Sequence, residues 1–235
     1  MVMSAAEVEG YRRSIKEIAG RAMDIAEGSV LVWIASNPGA SVSDAREYAK
    51  NLMEGVFAAY GSVSSQLAAM VYDEIVSRLG AGAEKAEASY SGDPYEIDRA
   101  ARYQASKLES GDAAGFAKGI GRSAWSHVWR SANGTMSENA ARDSSIGMRY
   151  ARVPSGSETC MFCVMLASRG FVYRTPQSAG SAGHRYHPGC DCVVVPGLSD
   201  SDVEGYDTSA LYRAWADSGF KPPSKDRKGR EYRYE

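Results

Sequence analysis

The chain has 235 residues, 44% of them hydrophobic, which is apolar material enough for one large domain or two ordinary ones. Its 27 basic residues are balanced by 29 acidic ones for a formal net charge of -2, so no global field draws it to nucleic acid or to an anionic membrane. No apolar run approaches the ~20 residues that span a bilayer, and the opening MVMSAAEVEGYRRS lacks the basic-then-apolar layout of a secretion signal, so synthesis and assembly are expected in the cytosol.

The first 145 residues read as helices separated by clear punctuation. Ser4 and Glu7 form a capping box ahead of Val8, Tyr11, Ile15, Ile18, Ala22 and Ile25, which recur at helical spacing. That helix continues toward Ile34 and stops at Asn37-Pro38-Gly39, where proline restricts the residue before it and glycine frees the turn. A second helix is expected from about Ser43, carrying Tyr48, Leu52, Val56 and Tyr60 before a break at Gly61. A third carries Leu67, Met70, Val71, Ile75 and Leu79 and ends at Gly80. The small, polar stretch from Gly80 to Ser91 suits an exposed linker. Asp93 then reads as an N-cap with Pro94 at the first helical position, opening a helix to about Leu108. Asp112 caps the next, which carries Phe116, Ile120, Trp125, Val128 and Trp129. Short connections favour antiparallel packing of these helices, as in a bundle. Their aromatic residues fit core packing better than a base-stacking surface, and His127 reads as a packed side chain because no second ligand type lies one turn away.

From about Gly147 the texture changes to glycine, proline, serine and cysteine, with β-prone runs at Phe171-Val172-Tyr173 and Val193-Val194-Val195. The expected architecture is mainly α: an antiparallel helical domain over 1–146 with a linker at 80–92, a small zinc-stabilised α+β module over 147–198, and a short helix with a flexible charged tail over 199–235. The short helix is placed at Ser209 to Ala216. The tail from Lys221, KPPSKDRKGREYRYE, has six basic residues against three acidic ones. It reads as a solvated terminus ordered by a partner, with docking on an acidic surface or on packaged nucleic acid as the sharper alternative.

All four cysteines fall between positions 160 and 192. In a reducing compartment such clustering points to metal rather than to a disulfide framework. The segment T-C-M-F-C sets Cys160 and Cys163 at the spacing that lets two sulfurs reach one ion, and H-P-G-C-D-C repeats that spacing with His187 and Cys190 and adds Cys192. A closed structural zinc takes four ligands, and here there are five candidates. One set is Cys160, Cys163, His187 and Cys190; an all-cysteine set through Cys192 is the other, leaving His187 to hydrogen-bond a thiolate. His184 is the weakest candidate. Catalytic zinc is disfavoured because the chain has no H-E-x-x-H motif, and neither a G-x-S-x-G turn nor a phosphate-binding G-x-x-x-x-G-K-[ST] loop occurs.

The residues from Arg152 to Pro196, R-V-P-S-G-S-E-T-C-M-F-C-V-M-L-A-S-R-G-F-V-Y, then S-A-G, then Y-H-P-G-C-D-C-V-V-V-P, resemble the cysteine-rich module of phage minor head proteins of the phage Mu F type and their relatives in tailed phages of actinobacteria. The resemblance implies a non-enzymatic minor capsid protein, made with the portal protein and located in the head interior or at the portal vertex after assembly in the host cytoplasm. Portal protein, major capsid protein and, through the tail, packaged DNA are its implied partners, with no membrane. Cys160, Cys163, His187, Cys190 and Cys192 carry over as ligands of Zn2+. A reading from another class is a zinc-supported nucleic-acid-binding or nuclease module with His184 as general base; it lacks a second catalytic histidine or an asparagine downstream of His187.

Overall fold

The computed structural model describes residues 1–90, 92–156, 159–175, 179 and 192–221. The described chain is mainly helical, with helices α1 (Ala5–Ser36), α2 (Val42–Leu79), α3 (Pro94–Ala105), α4 (Ala113–Arg142), α5 (Met161–Ala167) and α6 (Thr208–Asp217), and an antiparallel pair of strands, β1 (Arg149–Pro154) and β2 (Cys192–Gly197). Short 3-10 turns follow α3 and α4. No helix among the described residues is long and apolar enough to cross a membrane.

The helix starts lie where the capping chemistry puts them. The Ser4 hydroxyl accepts from the Glu7 N–H at 3.2 Å and the Glu7 carboxylate accepts from the Ser4 N–H at 2.6 Å, completing the capping box. The Arg78 guanidinium beside it, together with the Ser4 contacts, lowers the pKa of Glu7 to about 2. Asp93 caps α3 through the Tyr95 N–H with Pro94 following, and Asp112 accepts from the Gly115 N–H at the start of α4. Asp207 does the same for α6 through Ser209 and Ala210.

Two expectations for the helices are corrected. The second and third helices are one, because α2 runs unbroken through Gly61. A glycine in a helix interior costs only about 1 kcal/mol, and here a Cβ at position 61 would lie 2.7 Å from both His127 Nε2 and a ring carbon of Tyr90. Gly61 therefore serves close packing rather than termination. The buried face of α1 holds the expected Val8, Tyr11, Ile15 and Ala22 but departs from the expectation at Ile18 and Ile25. It consists of Val8, Tyr11, Ile15, Ala19, Ala22, Ala26 and Val30, while Ile25 is exposed and Ile18 half-buried. Those positions repeat every eleven residues, which tracks a nearly straight helix better than the seven-residue step from Ile18 to Ile25. On α2, Ala45, Ala49, Ala68 and Ala69 are buried whereas Met70 is exposed.

The chain forms two compact units. One comprises Ile15–Ser65 and Ser89–Ala132. Here α1 and α2 double back on each other, with Trp33 stacked on Tyr48 at 4.9 Å and the Tyr48 hydroxyl donating to the Ser29 carbonyl. Phe116, Ile120, Val128 and Trp129 are buried in this unit as core. His127 is buried too, its ring stacked on Phe57 at 4.1 Å, and burial lowers its pKa to about 3. The expected packed role for this histidine is what the geometry gives.

The other unit comprises Met1–Ser14, Gln66–Ala88 and Asn133–Glu235. Its parts come from three distant stretches of the chain. Met3 forms a parallel bridge with Val203, with Val2 N–H donating to the Asp202 carbonyl and Glu204 N–H to that of Met3. Tyr72 and Arg142 donate to the buried carboxylate of Asp143; burial raises its pKa, but these hydrogen bonds outweigh that and leave it lowered. The stretch after Gly80 is exposed or half-buried and tied down by hydrogen bonds: Asp73 accepts from the Ala86 N–H, Asn139 bonds both backbone groups of Glu87, and Arg142 donates to the carbonyls of Glu84 and Lys85.

Candidate metal centre

The centre is built on the strand pair. β1 pairs with β2 so that Arg152 faces Val194 and Pro154 faces Cys192. Residues Tyr150–Val153 of β1 and all of β2 are buried, which accounts for the unbroken valine run Val193-Val194-Val195. A two-stranded sheet leaves backbone groups unpaired at its edges, and Asn133 of α4, itself buried, accepts from the Val194 N–H at 2.7 Å. The expected strand at Phe171-Val172-Tyr173 reduces to one bridge, in which Tyr173 exchanges backbone hydrogen bonds with Tyr150.

Helix α5 begins inside the C-x-x-C element. Cys160 is its N-cap, with extended backbone, and its carbonyl accepts from the Val164 N–H; Cys163 lies in the first turn. The helix is apolar on all sides because it is core: Cys163, Val164, Met165, Leu166 and Ala167 are all buried. It packs against β1 and α6. The Tyr173 hydroxyl donates to the Leu166 carbonyl and the Tyr206 hydroxyl to that of Ala167, satisfying the C-terminal end of a helix only seven residues long.

This arrangement brings Cys163 and Cys192 together. Their sulfurs are 3.5 Å apart, and Cys160 packs against the pair. The separation is well beyond the ~2.05 Å of a disulfide. Two sulfurs each about 2.3 Å from one tetrahedral ion lie about 3.8 Å apart, close to what is seen. Arg152 completes the cluster. It is 3% exposed, and its Nη2 donates to the Cys192 sulfur at 2.7 Å and reaches that of Cys163 at 3.7 Å. Burying a guanidinium is costly unless its N–H groups are hydrogen-bonded, and these two sulfurs are among its acceptors. Soft thiolate donors in this number fit zinc.

Of the expected ligands, Cys163 and Cys192 are brought together from the two ends of the motif, with Cys160 packed against them. His187 and Cys190, and the weaker candidate His184, lie outside the described residues, as does the tail from Pro222. Among the described residues no group of three or more histidine, cysteine, aspartate or glutamate side chains closes on a common point. Arg152 escaped the motif reading. Its signal was a single charged residue in the otherwise apolar strand segment Y-A-R-V, just ahead of the C-x-x-C element.

The VG15 protein family matches residues 2–218. Among characterised proteins, the chain is similar to the Gene 15 protein of Mycobacterium phage D29, at 33% identity over 30% of this chain and 36% of that one. The Gene 15 protein of Mycobacterium phage L5 is 30% identical over 26% of this chain and 32% of its own length. The chain thus aligns with about a third of the length of each relative. No solved structure matches it. With nearly its whole described length matched, the chain belongs to the VG15 protein family and is a phage protein of actinobacterial type.

Proposed function

We propose that this protein is a non-enzymatic structural component of a tailed-phage head, held together at its C-terminal side by one structural zinc ion. The observation that carries the zinc reading is the pairing of Cys163 with Cys192 at 3.5 Å with Cys160 against them, because it joins the two halves of the ligand motif at one place. Cys160, Cys163 and Cys192 supply three ligands, and His187 or Cys190 supplies the fourth. The zinc acts as a cross-link between the start of α5 and the start of β2, stabilising a segment whose own apolar content is modest.

The head assignment draws on the resemblance of residues 152–196 to minor head proteins and is consistent with membership of a phage family. The long helices α1 and α2 provide rod-like surface for portal or major capsid protein, and the basic tail is the segment suited to packaged DNA. Elemental analysis of purified protein is expected to give about one zinc per chain, and chelation to abolish cooperative unfolding of the cysteine-rich unit. A metal-free, fully folded protein would sink the zinc reading. Co-expression with the phage portal protein, followed by sedimentation and electron cryomicroscopy, is expected to show a complex; its absence from both portal and procapsid fractions would overturn the head assignment.

A further inference from the structure

The proposed ligands do not by themselves explain why a cation sits among them. Arg152 occupies the middle of β1, where residues on both sides of the pleat are buried, so its guanidinium has no route to water along either face. It is aimed instead at the sulfurs, 2.7 Å from Cys192 and 3.7 Å from Cys163. Both contacts come from one nitrogen, Nη2, whose two N–H groups lie in the fixed plane of the guanidinium, whereas a lysine ammonium acts as a freely rotating point charge. Three or four thiolates around one Zn2+ leave the set with net negative charge, and a buried set of that kind is stabilised by an adjacent fixed cation.

We infer that Arg152 is the positioning residue of the metal centre, orienting the sulfurs of Cys163 and Cys192 and offsetting the charge of the zinc–thiolate set. This rests on the zinc reading above. Because β1 is paired with β2 in a register that sets Pro154 opposite Cys192, the guanidinium is delivered to the thiol two residues along the partner strand from its own pair, Val194. The same strand packs against α5, which carries Cys163, so one side chain spans both halves of the ligand motif.

The test compares full-length wild type with Arg152→Lys and Arg152→Met. Zinc affinity is measured by competition with a chromogenic chelator, and the sulfur-to-metal charge-transfer band is recorded after cobalt substitution. The expected order is wild type above Arg152→Lys above Arg152→Met, with Arg152→Met weakened roughly 10–100-fold and its charge-transfer band displaced. Lysine restores part of the affinity because it returns the charge without the planar nitrogen that reaches both sulfurs. Equal affinity and identical spectra in all three proteins overturn the inference while leaving the zinc reading intact, and so does a change confined to the melting temperature of the metal-free form. If Arg152→Met does not fold, the comparison of wild type with Arg152→Lys decides, since an unchanged affinity and band there are equally fatal. A wild type that takes up neither zinc nor cobalt removes both the zinc reading and the role of Arg152.

Discussion

Two single residues show how burial assigns chemistry. His127 has the side chain most often suspected of catalysis or metal binding, yet it lies flat on Phe57 at 4.1 Å with the edge of Tyr90 against it. Desolvation holds it neutral, with a pKa of about 3 against an ordinary 6.5. The unfolded chain therefore takes up a proton below pH 6.5 that the folded chain refuses until about pH 3, so stability is full above 6.5 and falls with pH through that window. The slope is roughly 1.4 kcal/mol per pH unit. Between pH 6.5 and 5, before carboxylates contribute, denaturant unfolding of His127→Phe is expected to lack that slope; an undiminished slope would assign it elsewhere. Arg152 is the converse case, a permanent charge carried into the core, where it donates to the Cys192 sulfur. The clustering of the cysteines late in the chain was legible from the residues alone. The arginine was not, since nothing within a few positions of it announces that Cys192, forty residues on, will lie beside it.

At the scale of elements, the local rules located the helix starts well and the helix faces poorly. Ser4 with Glu7, Asp93 with Pro94, and Asp112 act through bonds to residues two or three positions away, so their meaning is complete in the local sequence. Gly61 and Gly55 are equally helical and equally glycine, but their surroundings differ. A Cβ at Gly55 meets nothing within 4 Å, whereas one at Gly61 meets the His127 and Tyr90 rings at 2.7 Å. Gly55→Ala is accordingly expected to stabilise the protein by about 0.5–1 kcal/mol through helix propensity. Gly61→Ala is expected to destabilise it by about 1–3 kcal/mol through overpacking. Opposite signs in chemical denaturation would support this reading, and stabilisation by both would show that the rings yield freely. The departures on α1 have the same origin: the large side chains Ile18 and Ile25 were expected in the buried face, but the alanines at 19 and 26 are what the core covers.

For the molecule as a whole, chain order is a poor guide to neighbourhood. The unit that holds the paired cysteines also contains the first fourteen residues, where Val2 and Met3 are 1% and 4% exposed and Met3 pairs with Val203. Deleting residues 1–3 is therefore expected to lower the melting temperature of this unit and to remove amide-exchange protection at Glu204, whose N–H donates to the Met3 carbonyl. Retained protection at Glu204 would mean that the bridge contributes nothing. The sequence by itself determined the predominance of helix, the capped starts of α1, α3 and α4, the stop at Asn37-Pro38-Gly39, and the clustering of cysteines late in the chain, because capping and backbone sterics act over a few residues. Only the tertiary structure decided that α2 is continuous through Gly61, that alanines line the buried faces, that Asn133 satisfies the edge of β2, and that Arg152 meets the cysteines. Each of these depends on atoms brought together from distant positions, where burial and the need to satisfy every polar group, rather than local preference, select the contact.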